Sequence, residues 1–332
     1  MPETSSSQPF NIKKLHPTFG AEISNLDLSN ISDSLFQQLH SAVTKYGFLV
    51  LRSTNLTDAT HISFSRRFGE LDDIRPYITN GRKPRYDFLE LFDAGNVDEN
   101  GQVLASDSPR THYGKGNGFF HVDSSFNPRR ASYSLLRAVA IPPPNTGGNT
   151  EFADTRAAFE TLPEGMKERL LKDDYVGVHS LHHSRKRGSP EFFQDLNPEE
   201  FPMHRHKICQ IHELSGRKNL YIGSHLHHIE NSNGEKLGEA ENFELIWSLM
   251  GWATRPENIV SVEWKNVNDL IIWDNTAVMH RAAGGSYEGK FARDLRRTTV
   301  HDGSPTAWGL NEKDVDGRPG FSVGGKSLDE AR

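Results

Sequence analysis

From residue 131 onward, the chain contains short runs of β-branched and aromatic residues that are separated by glycine and proline. A run over 131–141 ends at three consecutive prolines, and further runs follow over 149–153, 260–264 and 269–273. Runs of this kind, bounded by turn residues, are typical of β-strands. No break in composition divides the chain, and we therefore expect one elaborated β-domain rather than two domains.

The first half of the chain adds helices to this strand pattern. Ser32 or Asp33 can cap the start of a helix that Gly47 can end, and apolar residues recur between them at helical spacing. A second helix is predicted to begin at Thr57 or Asp58. We expect a mainly β (α+β) protein in which helices are inserted between the strands.

Two long polar segments, 72–118 and 180–206, interrupt the pattern. Segments this long without regular structure are usually functional or mobile, and we predict mobile inserts. The serine-rich residues 1–9 are predicted to form a disordered tail, and the polar residues 304–332 a peripheral one. The domain itself is expected to span residues 10–303.

The composition narrows the classes of function. The chain has 38 Lys and Arg against 44 Asp and Glu, a formal net charge of −6, which argues against binding to nucleic acid. The single cysteine excludes an intrachain disulfide framework and an all-thiolate metal site, so a metal would need nitrogen and oxygen ligands. Neither a secretory signal nor an apolar run near the ~20 residues of a membrane span is present, and we expect a cytoplasmic protein without a membrane anchor.

His121 and Asp123 form a short motif that could bind a metal ion. In an extended segment, residues two apart point to the same face, so that an imidazole nitrogen and a carboxylate oxygen converge. A third ligand would complete the 2-His-1-carboxylate set of non-haem Fe(II) oxygenases. Such a pair also arises by chance in a chain with 16 histidines, and His228 with Glu230 is a rival pair.

A second pattern lies between 273 and 299. The glycine-rich segment 284–289 would join two strands into an antiparallel hairpin and place Arg293 opposite His280, with Arg297 on the same face as Arg293. A guanidinium group in that position could bind a carboxylate with two hydrogen bonds.

Together these residues resemble the Fe(II)/2-oxoglutarate dioxygenases of the taurine dioxygenase and 2,4-dichlorophenoxyacetate dioxygenase (TauD/TfdA) family. The likeness spans roughly residues 12–302 and is carried by the segments 15–28, 121–126, 147–154 and 273–297. The last two are more similar to the dichlorophenoxyacetate branch. The resemblance implies a double-stranded β-helix (jelly-roll) core with helical inserts.

The resemblance also implies roles for individual residues. His121, Asp123 and His280 would bind Fe(II) and form the catalytic centre. Thr150 and Arg293 would bind the C5 carboxylate of 2-oxoglutarate. Arg297 would lie at the boundary between cosubstrate and substrate. Asn117 and Arg75 would contact the substrate. At the position of Arg75, taurine dioxygenase has a substrate-binding histidine, which leaves the substrate open.

The implied reaction consumes 2-oxoglutarate and O2 and oxidises a C–H bond of a small, anionic organic substrate, with release of succinate and CO2. The carboxylate of Asp123 favours hydroxylation over halogenation, while desaturation and ring closure stay open. The sequence identifies neither the substrate nor the oligomeric state, although relatives often assemble into homo-oligomers.

Two alternative functions use the same site residues, and two further interpretations concern other histidine-rich segments. A catalytically silent jelly-roll could bind small acids, and a zinc hydrolase could use the same ligands. The histidines at 225–228 are not expected to bind metal. The cationic segment around His182, His183 and Arg185 is expected to be a solvated surface.

Overall fold

The computed structural model describes residues 10–24, 26–78 and 84–313. The predicted tail at 1–9 and residues 314–332 of the predicted C-terminal tail lie outside the described residues, and the domain limits stay a prediction. In the described part of the chain, no helix has the length and apolar character that crossing a membrane requires.

The strands, in chain order, are β1 (Asn11–Lys14), β2 (Ala21–Ser24), β3 (Phe48–Leu51), β4 (Phe92–Asp93), β5 (Ala131–Ala140), β6 (Thr150–Asp154), β7 (Val176–His179), β8 (His204–Lys207), β9 (Cys209–His212), β10 (Arg217–Leu220), β11 (Leu226–Glu230), β12 (Ile259–Val262), β13 (Leu270–Asp274), β14 (Val278–Ala282) and β15 (Asp294–His301). The α-helices are α1 (Asp33–Tyr46), α2 (Asp58–Ser65), α3 (Pro109–Gly114), α4 (Thr155–Thr161), α5 (Glu164–Asp173), α6 (Leu181–Gly188) and α7 (Glu239–Ala253). Short 3-10 helices lie at Arg75–Tyr77, Lys115–Gly118, Pro198–Glu200 and Pro256–Asn258.

The strands form one large sheet and three smaller ones. The large sheet has the order β1-β2-β3-β13-β5-β15-β4, and all its pairs are antiparallel except β2 with β3. The smaller sheets are β12-β6-β14, β11-β7-β8 and β10-β9. Neighbours in a sheet are often far apart in sequence, as is expected when a chain crosses repeatedly between two layers.

Strand β3 in the middle of the large sheet is buried on both faces. Leu49 and Leu51 pack with the apolar face of α1. Phe48 and Val50 lie on the opposite face, because side chains alternate along a strand, and Phe48 stacks on Phe152 of β6 with ring centroids 4.2 Å apart. One apolar core therefore lies between the large sheet and the sheet that contains β6 and β14, and another lies between the large sheet and α1.

The predicted first helix is confirmed as α1. Ser32 is its N-cap and accepts a hydrogen bond from the backbone N–H of Leu35. Gly47 ends the helix with φ +76°, and a Cβ atom there would lie 2.7 Å from Val278 Cγ1. Only glycine meets both conditions, since it has no Cβ and adopts positive φ without strain.

The predicted hairpin between β14 and β15 is wrong. Strand β14 pairs with β6, while β15 pairs with β5 and β4 in the large sheet. His280 therefore lies opposite Phe152 and not opposite Arg293. The glycine-rich segment after β14 carries the chain from one layer to the other, and sequence spacing cannot distinguish such a crossing from a tight local turn.

The polar insert 180–206 is not a solvated surface where it forms α6. His182 is 1% and Arg185 6% exposed. The Arg185 guanidinium lies 4.5 Å from the centroid of the Tyr113 ring, and the ring of His182 stacks on Phe201 at 3.8 Å. Aromatic partners of this kind let cationic and polar side chains be buried, and a charge count along the sequence does not reveal them.

Candidate active site

Three predicted ligand residues meet in the interior. The donor atoms of His121, Asp123 and His280 all lie within 4.8 Å of one another. His121 Nε2 is 3.8 Å and His280 Nε2 is 3.7 Å from Asp123 Oδ1. Within the ranges that the structure describes, no other group of three His, Cys, Asp or Glu side chains is arranged in this way, and His228 with Glu230 gains no third partner.

The backbone brings the two histidines together. His121 and His280 form an isolated antiparallel bridge in which each N–H donates to the other's carbonyl oxygen at 2.9 Å. Asp123 lies in the turn that follows His121 rather than in a strand. The side chains of His121 and Asp123 are thus brought to the same place by a backbone bridge and a turn, and not by a continuous strand.

The protonation states suit a divalent cation. The Nδ1–H of His121 donates to the carbonyl oxygen of Phe119 at 2.8 Å, which leaves the Nε2 lone pair facing Asp123. Burial lowers the pKa of His121 and lowers that of His280 well below its ordinary value, so both imidazoles are neutral. Burial alone would raise the pKa of Asp123, but the nearby charge of Arg297 and other contacts outweigh it and lower that pKa.

Two neutral imidazoles and one carboxylate are the donor set that non-haem Fe(II) oxygenases use, and the residues present fit that metal. All three side chains are nearly inaccessible, at 4–5% exposure. Two of them, His121 and Asp123, line a cavity of about 1390 Å³, and a small substrate could therefore reach the metal-facing groups.

Arg293 lies on the wall of this cavity and is 6% exposed. Its Nε donates to the carbonyl oxygen of Gly148 at 3.0 Å, and its backbone N–H donates to Asn96 Oδ1 at 2.7 Å. No carboxylate in the described part of the chain lies within salt-bridge distance of its guanidinium group. Burial lowers the pKa of Arg293, and the electrostatic attraction of Tyr287 and Glu288 offsets this only in part.

Of the other predicted site residues, Arg297 and Asn117 line the cavity, whereas Thr150 is not among the residues that line it. Arg297 lines the cavity and places its Nη1 2.5 Å from Asp123 Oδ1. Thr150 is buried in β6, and its Oγ1 accepts a hydrogen bond from Trp264 Nε1 at 3.2 Å. Asn117 lies on an exposed 3-10 turn that lines the cavity.

The structure does not place Arg75 on the cavity wall, although its neighbours Asp73 and Ile74 lie there. The Arg75 side chain is 72% exposed, and its Nη2 lies 2.5 Å from an oxygen of Asp73. Its contact with a substrate stays a prediction.

Sequence reasoning missed two residues next to the ligands. His225 lines the cavity, and its ring centroid lies 5.4 Å from that of His121; the histidine run had been considered only as a metal tract. Ser134 Oγ donates to Asp123 Oδ2 at 2.7 Å. A polar residue inside the apolar run 131–141 was a signal that could have identified Ser134.

Comparison with known proteins adds three findings. The family model described as taurine catabolism dioxygenase TauD, TfdA family matches residues 11–299. The alpha-ketoglutarate-dependent 2,4-dichlorophenoxyacetate dioxygenase of Burkholderia sp. strain RASC is 35% identical over 298 residues, which cover 87% of this chain and 94% of that protein. The (S)-phenoxypropionate/alpha-ketoglutarate-dioxygenase of Sphingobium herbicidovorans is 30% identical over 83% of this chain and 90% of its own length.

Among solved structures, AAD-2 in complex with Mn(II) and N-oxalylglycine superimposes with a TM-score of 0.80 at 34% identity, covering 90% of this chain and 99% of that one. The predicted jelly-roll fold is thereby confirmed. The extent of the family match and the identity to these relatives confirm the predicted enzyme class as well, and the silent-binder alternative is not favoured. This chain belongs to the TauD/TfdA family and is an Fe(II)- and 2-oxoglutarate-dependent dioxygenase.

Proposed function

We propose that this dioxygenase oxidises a C–H bond of a small anionic organic substrate inside the 1390 Å³ cavity, with His121, Asp123 and His280 holding Fe(II). Bound there, the iron together with 2-oxoglutarate and O2 supplies the oxidation, and 2-oxoglutarate leaves as succinate and CO2. The relatives named above act on phenoxyacetate- and phenoxypropionate-type acids, which supports an anionic substrate.

The observation that carries the proposal is the buried cation beside the ligand group. The guanidinium of Arg293 faces the same cavity as His121 and Asp123 and has no salt-bridge partner among the described residues. A carboxylate bound there would neutralise it and accept two parallel hydrogen bonds. We assign this position to the C5 carboxylate of 2-oxoglutarate, with Thr150 as a second contact.

A second cation, Arg297, lines the same cavity as Arg293. It pairs with Asp123 in this structure, and the substrate's anionic group is proposed to share its charge. Asn117, on the exposed turn, and Arg75 are proposed to contact the substrate farther out. The chain's own task is thus to hold two anions in a fixed order and to keep the metal-facing groups away from bulk water.

The test measures succinate released from 2-oxoglutarate by the Fe(II)-loaded protein with a panel of aryloxyacetates, sulfonates, amino acids and other small acids. At least one acid is expected to stimulate turnover, and His121→Ala should abolish it. Arg293→Gln should raise KM for 2-oxoglutarate roughly 10–100-fold, because a charge-assisted contact is lost. Turnover unaffected by His121→Ala would refute the proposed metal site.

The matched control is Arg217→Gln. Arg217, on β10, forms an ion pair with Glu160 of α4 and does not line the cavity, so KM for 2-oxoglutarate should not change. Metal analysis of the purified protein separates iron from zinc: hydrolysis of an ester by the zinc form, without 2-oxoglutarate, would favour the hydrolase alternative.

A further inference from the structure

A closed ring of hydrogen bonds holds the carboxylate of Asp123 on the side away from the histidines. Ser134 Oγ, on β5, donates to Asp123 Oδ2 at 2.7 Å. Asn275 Nδ2 donates to Ser134 Oγ at 3.0 Å, and Asn275 Oδ1 accepts from the backbone N–H of Asp123 at 3.1 Å. The ring joins three segments that are distant in sequence.

The directions of these hydrogen bonds are determined by their partners. Asn275 Oδ1 also accepts from Trp273 Nε1 at 3.0 Å, and an acceptor of two N–H donors must be the amide oxygen. The other amide atom is then a donor, so the Ser134 hydroxyl accepts from Asn275 and gives its own proton to Asp123. Ser134 and Asn275 are 0% and 1% exposed, which excludes competition from bulk water.

The two oxygens of Asp123 consequently have different surroundings. Oδ2 accepts a hydrogen bond from the Ser134 hydroxyl inside the protein. Oδ1 accepts one from Arg297 Nη1 at 2.5 Å and is the oxygen 3.8 Å from His121 Nε2 and 3.7 Å from His280 Nε2. We propose that Ser134, oriented by Asn275, is a positioning residue that presents Oδ1 alone to the metal and keeps this ligand monodentate. This inference rests on the proposed ligand set.

A neighbouring serine shows what an ordinary strand hydroxyl does here. Ser132, two residues earlier on β5, donates only to the main-chain carbonyls of Val300 and His301, each at 3.3 Å. Ser134 instead donates its proton to a buried carboxylate. Hydrogen bonds of this kind fix the orientation of a metal ligand, and their loss typically weakens metal binding 10–100-fold.

The experiment titrates metal-free protein with Co(II) and records its visible d–d absorption, which reports both affinity and coordination. Ser134→Ala should raise the Co(II) dissociation constant about 10–100-fold and change the band shape as Oδ2 becomes free to coordinate. Ser134→Thr, which keeps the hydroxyl, should restore affinity and spectrum, and Ser132→Ala should match the wild type. If Ser134→Ala does not fold, Ser134→Cys, with its weak S–H donor, is measured in its place and should bind Co(II) more weakly.

Co(II) affinity and spectrum unchanged in Ser134→Ala would overturn the inference. So would equal weakening in Ser134→Ala and Ser134→Thr, because packing and not the hydroxyl would then be responsible. Failure of the proposed ligand set is distinguishable: in that case His280→Ala would bind Co(II) as tightly as the wild type. The positioning role alone fails if His280→Ala loses Co(II) binding while Ser134→Ala does not.

Discussion

Two buried polar networks, one on the large sheet and one on a smaller sheet, are built in opposite ways. The first, which we call the charged chain, alternates cations and anions in the order Arg110, Asp93, Arg85, Asp294, Arg296, Asp58 and Arg137. The second, the histidine cluster, contains no carboxylate and consists of Asn127, His179, His206 and Tyr221.

The difference lies in the pairing of charges, although Arg137 Nε and Arg296 Nε also lack a hydrogen-bond partner among the described residues. Every charge of the charged chain has an opposite charge beside it. These ion pairs connect the segment around β4 to β15, the strand that begins directly after Arg293. In the histidine cluster, both ring nitrogens of His179, the hydroxyl of Tyr221 and the side-chain amide of Asn127 lack a hydrogen-bond partner among the described residues. Breaking the first network should therefore be expensive, whereas removing a polar atom from the second should not.

The largest effect is expected from Asp58→Ala. Asp58 is the first residue of α2 and pairs with both Arg137 and Arg296. Its loss leaves the buried Arg137 without a salt-bridge partner among the described residues and leaves Arg296 with Asp294 alone. We expect the free energy of unfolding to fall by about 3 kcal/mol, measured by urea denaturation.

Asp33→Ala is the matched control for this substitution. Asp33 is also the first residue of its helix and also pairs with an arginine, Arg67, but its side chain is fully exposed. A loss as large as that of Asp58→Ala would show that helix-terminal charge, and not the buried network, accounts for the effect.

The next effect concerns acid stability. Burial lowers the pKa of His179 to about 3. Below the ordinary value near 6.5, the unfolded chain binds a proton that the folded protein does not, so stability falls with falling pH until the folded pKa is reached. This histidine alone contributes a slope of about 1.4 kcal/mol per pH unit.

His179→Leu removes that contribution. Urea denaturation at several values between pH 4 and pH 6 should show a shallower loss of stability in the variant than in the wild type. Parallel slopes in the two proteins would mean that His179 takes up a proton in the folded state as well.

The smallest predicted effect is a difference in stability between Phe substitutions at two buried tyrosines, Tyr221 and Tyr175. Tyr221→Phe deletes a hydroxyl that has no partner among the described residues and should leave stability unchanged or raise it by less than about 1 kcal/mol. Tyr175→Phe should cost about 1 kcal/mol, because that hydroxyl donates to Asp173 and accepts from Arg169. Equal costs in thermal unfolding would contradict the inference that the Tyr221 hydroxyl, unlike that of Tyr175, adds nothing to stability.

Features that depend on residues close together in the sequence could be predicted from the sequence. The start and end of α1 were predictable because the N-cap Ser32 and the positive φ of Gly47 act within one helical turn. The pair of His121 and Asp123 was also predictable, since both residues lie in one short segment. The third ligand, His280, lies far away in sequence and came from the family resemblance.

Long-range placement was less predictable. The spacing between His280 and Arg293 suggested a hairpin, yet the two strands belong to different sheets. The burial of His182 and Arg185 was not foreseen either, because the aromatic rings that cover them lie elsewhere in the sequence.

By itself, the sequence determined the donor chemistry: one cysteine and a His-x-Asp pair leave nitrogen and oxygen ligands. The reaction class came from the resemblance of longer segments to the TauD/TfdA family. Only the tertiary structure decided which atoms face one another. It brought His280 beside His121 through a bridge and placed Ser134 behind Asp123. The physical reason is that ligand chemistry belongs to residue types, whereas orientation depends on hydrogen bonds between segments that meet only in the folded chain.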